Sequence, residues 1–151
     1  MPRPYKLVKY SEVIQMDCIF CKIAVGEIPA LKIFENDHIL SFLDIAPLSD
    51  GHTLVIPKKH YSRLDQMSGD EVAQIARVLP KICLAVVDAV GCRGYNVLQN
   101  NGQVSGQLVE HVHFHIIPRT SSDGLGYRWS AKKYPPEKDK QIQQKIIAKL
   151  K

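Results

Sequence analysis

The segment HVHFHII, residues 111–117, alternates histidine with apolar residues and constrains the fold more than any other part of the chain. A period of two predicts a β-strand, in which His111, His113 and His115 project from one face and the apolar residues between them project from the other. Half of the chain's 6 histidines lie in this segment. Because the three share one face, we expect that face to form a site.

Imidazole suits three kinds of chemistry, and spacing alone leaves all three open. Same-face neighbours on a strand lie about 6.5–7 Å apart, which is wide for three ligands of one ion but suits a row along an anionic group. A neutral histidine is also a nucleophile towards phosphorus, and a protonated one stabilises phosphoryl oxygens or supplies a proton. The strand therefore predicts a metal, a phosphate or a proton site.

The remaining patterns predict an α+β fold built on one antiparallel sheet of about five strands. A short helix in CIFCKIAVG is followed by a hairpin of LKIFEN and HILSFLD and by the strand HTLVIP. Ser68 and Glu71 have capping-box spacing and start a long apolar-striped helix that Gly91 ends. YNVLQN and LVEHVHFHIIP are the last strands, and a C-terminal helix starts at Pro136.

Several motifs in this order carry a family resemblance. They are CIFCKI, FLDI at residues 42–45, GHTLVIPKKH, NVLQNNG and HVHFHIIPR. Together they resemble the histidine triad (HIT) family, specifically its Hint-like branch of nucleotide-binding hydrolases, over roughly residues 17–119. The resemblance implies a HIT-like fold, with residues 1–16 as an N-terminal arm, 17–119 as the HIT domain, and 120–151 as a C-terminal extension whose helix packs on the domain.

The same resemblance assigns site residues. It implies that His113 is the covalent nucleophile that takes a nucleoside monophosphate, that His115 contacts the phosphate, and that His52 acts near the leaving group. The implied nucleotide-binding residues are Asp44, Ile45, Asn100, Gln107, His113 and His115. The glycine-rich loop at residues 101–106 is expected to offer backbone amides to a phosphate.

Cys18 and Cys21 form a CxxC pair, which is half of a typical zinc site. By itself the pair is equally compatible with a redox function or with chance. The resemblance supplies His60 and His111 as the other two ligands. Four protein ligands leave no open position, so the expected Zn²⁺ is structural.

One position departs from the family pattern. Many Hint-like relatives have serine or threonine after the glutamine at position 107, and this chain has Leu108. Leucine donates no hydrogen bond to a leaving group. The departure bears on the rate and preference for phosphoramidates.

The resemblance implies a hydrolase that releases AMP or another nucleotide from nucleoside 5′-phosphoramidates through a covalent nucleotidyl-histidine. The alternatives are a dinucleoside polyphosphate hydrolase, acting on diadenosine tetraphosphate for example, and a non-catalytic protein that binds purine nucleotides. A fourth hypothesis is a metal-dependent hydrolase whose triad holds zinc directly. Family members of this branch are homodimers, so a homodimer joined across the long helix and the NVLQN strand is expected.

Composition limits the partners and the compartment. The net charge is +5, but the lysine-rich C-terminal segment also carries acids and reads as a solvated helix rather than a nucleic-acid site. No apolar run is long enough to span a bilayer, and the first residues lack the apolar core of a secretory signal. We expect no membrane or nucleic-acid partner and a cytoplasmic location, with the nucleus as a second compartment.

Overall fold

A computed structural model describes residues 17–126 and 130–150 of the 151-residue chain. The predicted N-terminal arm, residues 1–16, lies outside the described residues. The helices and strands are α1 (Ile19–Ala24), β1 (Lys32–Glu35), β2 (Ile39–Leu43), β3 (Thr53–Pro57), α2 (Gly69–Val90), β4 (Gly94–Gln99), β5 (Phe114–Arg119) and α3 (Lys138–Ile147). Of the helices in these residues, none has the length and apolar character that a bilayer crossing requires.

The strands form one antiparallel sheet in the order β1-β2-β3-β5-β4, which confirms the predicted α+β class. The last strand in the chain, β5, inserts between β3 and β4. His115 is thereby paired with Leu54 on one side and with Leu98 on the other. The end of the histidine segment is therefore held in the interior of the sheet.

Helices cover both faces of the sheet, so β2 and β3 are almost completely buried. Burial on both faces explains why HTLVIP is a continuous run of β-forming residues instead of an alternating pattern. The α2 side is packed with Ile39, Val55, Ile75, Val78, Ile82, Cys83, Val86 and Ile116. The α1 side is packed with Phe20, Ile23, Leu40, Phe42, Leu54 and Ile56.

The long helix α2 begins and ends as its sequence predicts. The Ser68 hydroxyl accepts a hydrogen bond from the Glu71 amide at 3.2 Å, and the Glu71 carboxylate accepts one from the Ser68 amide at 2.8 Å. This reciprocal pair satisfies two free amides of the first turn. Gly91 ends the helix in the left-handed conformation, with a φ of 70°.

The strand predicted for LVEHVHFHIIP is shorter than expected, because β5 starts only at Phe114. Upstream of it, the His111 amide bonds to the Val109 carbonyl at 2.8 Å and the Val112 amide bonds to the Tyr61 carbonyl at 2.6 Å. These amides are committed to a turn and to a loop, so they cannot join the sheet ladder. His111 and His113 therefore precede the strand, and only His115 lies in it.

The C-terminal helix exists but starts at Lys138, two residues after Pro136. In the single chain, α3 leaves Ile146 and Ile147 more than half exposed. Its packing on the domain remains a prediction. The extension is attached at its start, where the Arg119 guanidinium bonds to the Asp123 carboxylate at 2.7 Å and to the Leu125 carbonyl at 2.8 Å.

Gly51, next to His52, offers a stability test with a matched control. Its φ is +84°, and an added Cβ would lie 2.7 Å from Cγ1 of Val90, whereas Gly26 has a φ of +82° and nothing within 4 Å. We expect Gly26→Ala to cost about 1 kcal/mol from backbone strain and Gly51→Ala about 2–4 kcal/mol, because it adds a clash. Denaturant unfolding measures both, and equal costs would contradict the close approach at Gly51.

Candidate functional site

A cavity of about 440 Å³ lies between α1 and the sheet. Most of its lining is apolar and includes Ile19, Phe20, Ile23, Ile28, Pro29, Ala30 and Phe42. The polar side chains in the lining are Asp44, His52, Asn100, His113 and His115. A molecule with a flat apolar part and an anionic part fits such a lining.

The position of the proton on His113 is set by the backbone. Nδ1 of His113 lies 2.6 Å from the carbonyl oxygen of His111, and a carbonyl only accepts hydrogen bonds. Nδ1 must therefore carry the proton, which leaves the Nε2 lone pair free on a residue that lines the cavity. Burial lowers the pKa of His113, which keeps the ring neutral near pH 7 and preserves that lone pair.

A backbone amide sets the opposite proton position on His52. The Leu48 N–H donates to Nδ1 of His52 at 3.0 Å, so a neutral His52 carries its proton on Nε2. That N–H points at Nδ1 of His115, 2.8 Å away. His115 then carries its own proton on Nε2. The series of hydrogen bonds from the Leu48 amide through His52 therefore makes Nε2 of His115 a hydrogen-bond donor.

Asp44 is the carboxylate next to this histidine pair. Its Oδ2 lies 3.7 Å from Nε2 of His52, and its Oδ1 accepts a hydrogen bond from the Ala46 amide at 2.9 Å. Burial lowers the pKa of His52. Burial, with smaller contributions from His113 and His52, lowers the pKa of His115 to about 4. The negative charge of Asp44 opposes both shifts. His52 and His115 are therefore both neutral in the free protein at pH 7. The negative charge of Asp44 would stabilise the pair if it takes up a proton during the reaction.

The two thiols, at the start of α1, come together with the other two predicted zinc ligands. The potential ligand atoms of Cys18, Cys21, His60 and His111 all lie within 4.8 Å of one another. Nδ1 of His111 is 3.4 Å from Sγ of Cys18 and 3.5 Å from Sγ of Cys21, and Nδ1 of His60 is 3.3 Å from Sγ of Cys21. The four predicted ligands therefore converge on one point.

This group fits a tetrahedral Zn²⁺. Zinc bond lengths of about 2.3 Å to sulfur and 2.0–2.1 Å to nitrogen put sulfur and nitrogen about 3.5 Å apart, close to the distances seen. The His111 Nε2–H donates to the Pro57 carbonyl at 2.8 Å, which leaves Nδ1 free for a metal. Burial and the adjacent Cys18 raise the pKa of Cys21 to about 12, so this thiol needs a neighbouring positive charge before it can ionise near pH 7.

A second set of potential metal ligands, Asp44, His52 and His115, lies at the cavity. His52 does not fit as a ligand there. Its Nδ1 accepts the Leu48 amide, so Nε2 must keep its proton and has no lone pair to give. This hydrogen bond argues against a metal held by Asp44, His52 and His115 together.

The other predicted nucleotide-binding residues behave differently from one another. Asn100 and Ile45 line the cavity, whereas Gln107 is not among the described residues that do. The Gln107 side chain instead accepts from the Gly102 amide at 2.7 Å and donates to the Ser62 carbonyl at 2.8 Å. The amides of Gly102, Ser105 and Gly106 all bond within the loop, so the predicted phosphate cradle is not formed by these three.

Sequence patterns missed the groups that orient the histidines. The Leu48 amide and the Pro57 carbonyl belong to the backbone, which every residue carries, so no residue type marks them. Phe20 was also missed, although it contacts two histidines. Its place between the two thiols is the only signal that the sequence gives for it.

Comparison with known proteins gives the family. The chain matches the HIT domain over residues 25–122. It is 46% identical to the adenosine 5′-monophosphoramidase of Schizosaccharomyces pombe, over 90% of this chain and 100% of that protein. The chain therefore belongs to the HIT domain family, as its sequence motifs predict.

Solved structures agree with this assignment. A HIT family protein from Bacillus subtilis is 42% identical, with a TM-score of 0.85 over 89% of this chain and 98% of that one. A zinc-bound histidine triad family protein from Mycobacterium smegmatis is 35% identical, with a TM-score of 0.70 over 90% of this chain and 96% of that one. The fold is therefore shared with both.

The assigned tautomers can be measured directly. In the free protein near pH 7, we expect His113 to carry its proton on Nδ1 and His52 and His115 to carry theirs on Nε2. Because burial lowers its pKa, His115 should titrate near pH 4 instead of near 6.5. Long-range ¹H–¹⁵N spectra of the imidazole rings report both properties. A proton on Nδ1 of His52 would contradict the chain that starts at Leu48.

Proposed function

We propose that this protein hydrolyses nucleoside 5′-phosphoramidates and releases AMP or a related nucleotide through a nucleotidyl intermediate on His113. One observation carries the proposal: Nδ1–H of His113 donates a hydrogen bond to the His111 carbonyl, which leaves a free Nε2 lone pair on a ring that lines the cavity. Binding alone does not require an unprotonated, oriented imidazole. The name of the S. pombe relative, adenosine 5′-monophosphoramidase, supports the same chemistry.

The reaction proceeds in two displacements. Nε2 of His113 attacks the α-phosphorus, a P–N bond to the histidine forms, and the P–N bond to the leaving amine breaks. The pair of His115 and His52, neutral in the free protein, takes up a proton from solvent when the anionic phosphate binds beside it, and the amine leaves with this proton. A water then attacks the phosphorus, returns a proton to that pair and releases the nucleotide, which restores His113.

The cavity lining suits the two parts of a nucleotide. Its apolar side chains suit a base, and Asp44, next to Ile45 in the chain, is the proposed partner of a ribose hydroxyl. Asn100 and the His115 Nε2–H are the proposed donors to phosphoryl oxygens. A volume of about 440 Å³ suits one nucleotide better than two.

The runner-up function is hydrolysis of dinucleoside polyphosphates such as diadenosine tetraphosphate. It uses the same nucleophile, and Leu108 is the observation that favours it. This side chain is 94% exposed at the cavity edge and cannot assist a departing amine, whereas a departing phosphate needs less assistance. The third candidate is a non-catalytic purine nucleotide-binding protein. The cavity supports it, but binding alone does not explain why His113 is oriented with a free Nε2 lone pair.

We also propose that Cys18, Cys21, His60 and His111 hold a structural Zn²⁺. The distances between the donor atoms, the neutral His111 and the zinc-bound M. smegmatis relative support it. When bound, the ion would supply the charge that lets both thiols ionise. It would also tie α1 to the turn that precedes β5.

Pairing of two chains is proposed at the α2 and β4 surface. Leu84, Val90, Tyr95 and Val97 are all more than a third exposed there. Apolar surface of this kind is typical of an interface between identical subunits. We also propose cytoplasmic residence, with the nucleus as a second compartment, because thiols that bind zinc need a reducing environment.

The nucleophile is tested by replacing it. His113→Ala should lower phosphoramidate turnover by about a thousandfold or more, because the covalent route is lost. Mass spectrometry of the wild-type chain quenched during turnover should show one added nucleotidyl group. His38→Ala is the matched control, since His38 is exposed and outside the cavity. Turnover that survives His113→Ala would contradict the covalent mechanism.

The substrate class is tested by competition. With adenosine 5′-phosphoramidate and diadenosine tetraphosphate at equal concentration, we expect kcat/KM to favour the phosphoramidate, because the cavity holds one nucleotide. Chromatography of the nucleotides measures both rates. A preference for diadenosine tetraphosphate would replace the first proposal by the runner-up.

The zinc site is tested with two cysteine substitutions. Cys18→Ser should reduce bound zinc from about one to less than about 0.1 per chain and lower the melting temperature, because a structural site is lost. Cys92→Ser is the control, since Cys92 lies outside the four-ligand group. Metal analysis of both purified variants gives the answer. Equal zinc in the two variants would rule out this site.

A further inference from the structure

The short helix α1 contributes to two sites at once. Cys18 and Cys21, at and just after its start, face His60 and His111. Between them in sequence, Ile19 and Phe20 line the cavity where the nucleotide is proposed to bind. A displacement of this six-residue helix would therefore change the metal group and the cavity wall together.

Phe20 is the side chain that connects them. Its ring is 7% exposed, with its centroid 5.9 Å from the ring of His111 and 5.2 Å from the ring of His113. The interplanar angles are 76° and 82°, which is the edge-to-face arrangement that aromatic rings prefer. Phe20 thus touches a predicted metal ligand and the proposed nucleophile with the same ring.

The nucleophile needs such a contact. The hydrogen bond from Nδ1 of His113 to the His111 carbonyl fixes one atom of the ring but allows the ring to swing about that bond. Two neighbouring rings restrict this rotation: Phe20, with its centroid 5.2 Å away, and His115, with its centroid 4.8 Å away. Without the Phe20 ring, the His113 ring would rotate more freely, and Nε2 would point less often towards the phosphorus.

We propose that Phe20 is a positioning residue for His113, and that the metal group acts on the reaction through Phe20; this rests on the proposed function. A six-residue helix is unstable by itself, so α1 depends on its packing and on the thiols at its start. Binding of both thiols to one ion fixes the turn that carries Phe20. The ion thereby holds the nucleophile in place although none of its four ligands lines the cavity.

Phe20→Leu tests the contact, and Phe34→Leu is its matched control. Phe34 packs against the core on the α2 side and does not line the cavity, and within the described residues no ring contact joins it to a histidine. At saturating substrate, only Phe20→Leu should slow the single-turnover formation of the nucleotidyl-histidine, by about tenfold or more. Equal slowing in the two variants overturns the proposal.

A double-mutant cycle tests the link to the metal group. Cys18→Ser should slow the same single-turnover step in the wild-type background and change it by less than about twofold in the Phe20→Leu background, since the connection is already gone. Zinc content of Phe20→Leu should stay at about one per chain. If Cys18→Ser slows the step by the same factor in both backgrounds, the two residues act independently and the proposal is wrong.

The wild-type chain supplies a test that needs neither a folded variant nor turnover. Removal of zinc with a chelator should weaken AMP binding about fivefold or more, as measured by calorimetry, and should shift the imidazole resonances of His113. Unchanged AMP affinity and unchanged resonances overturn the proposal. A chain that binds AMP in this zinc-dependent way yet forms no nucleotidyl-histidine contradicts the proposed function and leaves the link through Phe20 standing.

Discussion

The carbonyl oxygen of His111 is the acceptor on which the site depends. It accepts a hydrogen bond from Nδ1–H of His113 and so leaves the Nε2 lone pair of that ring free. His111 itself is fully buried, with Nε2 bonded to the Pro57 carbonyl and Nδ1 facing the thiols. One residue therefore joins the proposed metal group to the proposed nucleophile, with its side chain serving the first and its main chain serving the second.

Backbone groups divide the histidines into different chemical types, although their side chains are identical. A carbonyl makes His113 an Nδ1–H tautomer, whereas the Leu48 amide makes His52 an Nε2–H tautomer and, through it, makes His115 a donor. Neutral rings are needed for this division, and burial supplies them by lowering the histidine pKa values.

Much of this could be predicted from the sequence because it depends on local patterns. The capping box at Ser68 predicts the start of α2, and the hairpin and the run HTLVIP predict β1, β2 and β3. The CxxC pair and the IPKKH motif identified three of the four potential metal ligands that the fold brings together. The start of β5 was wrong because the Val112 amide bonds to Tyr61, a distant loop residue that no local pattern identifies. Tautomers were inaccessible for the same reason, since they depend on carbonyls and amides from other parts of the chain.

The central claim is that the backbone selects Nε2 of His113 as the nucleophile, and a crystal structure of the trapped intermediate tests it most directly. Crystals flash-cooled during turnover of a slow nucleoside phosphoramidate should show phosphorus bonded to Nε2 of His113, with Nδ1 still bonded to the His111 carbonyl. Phosphorus on Nδ1 of His113, or on another histidine, would contradict the account.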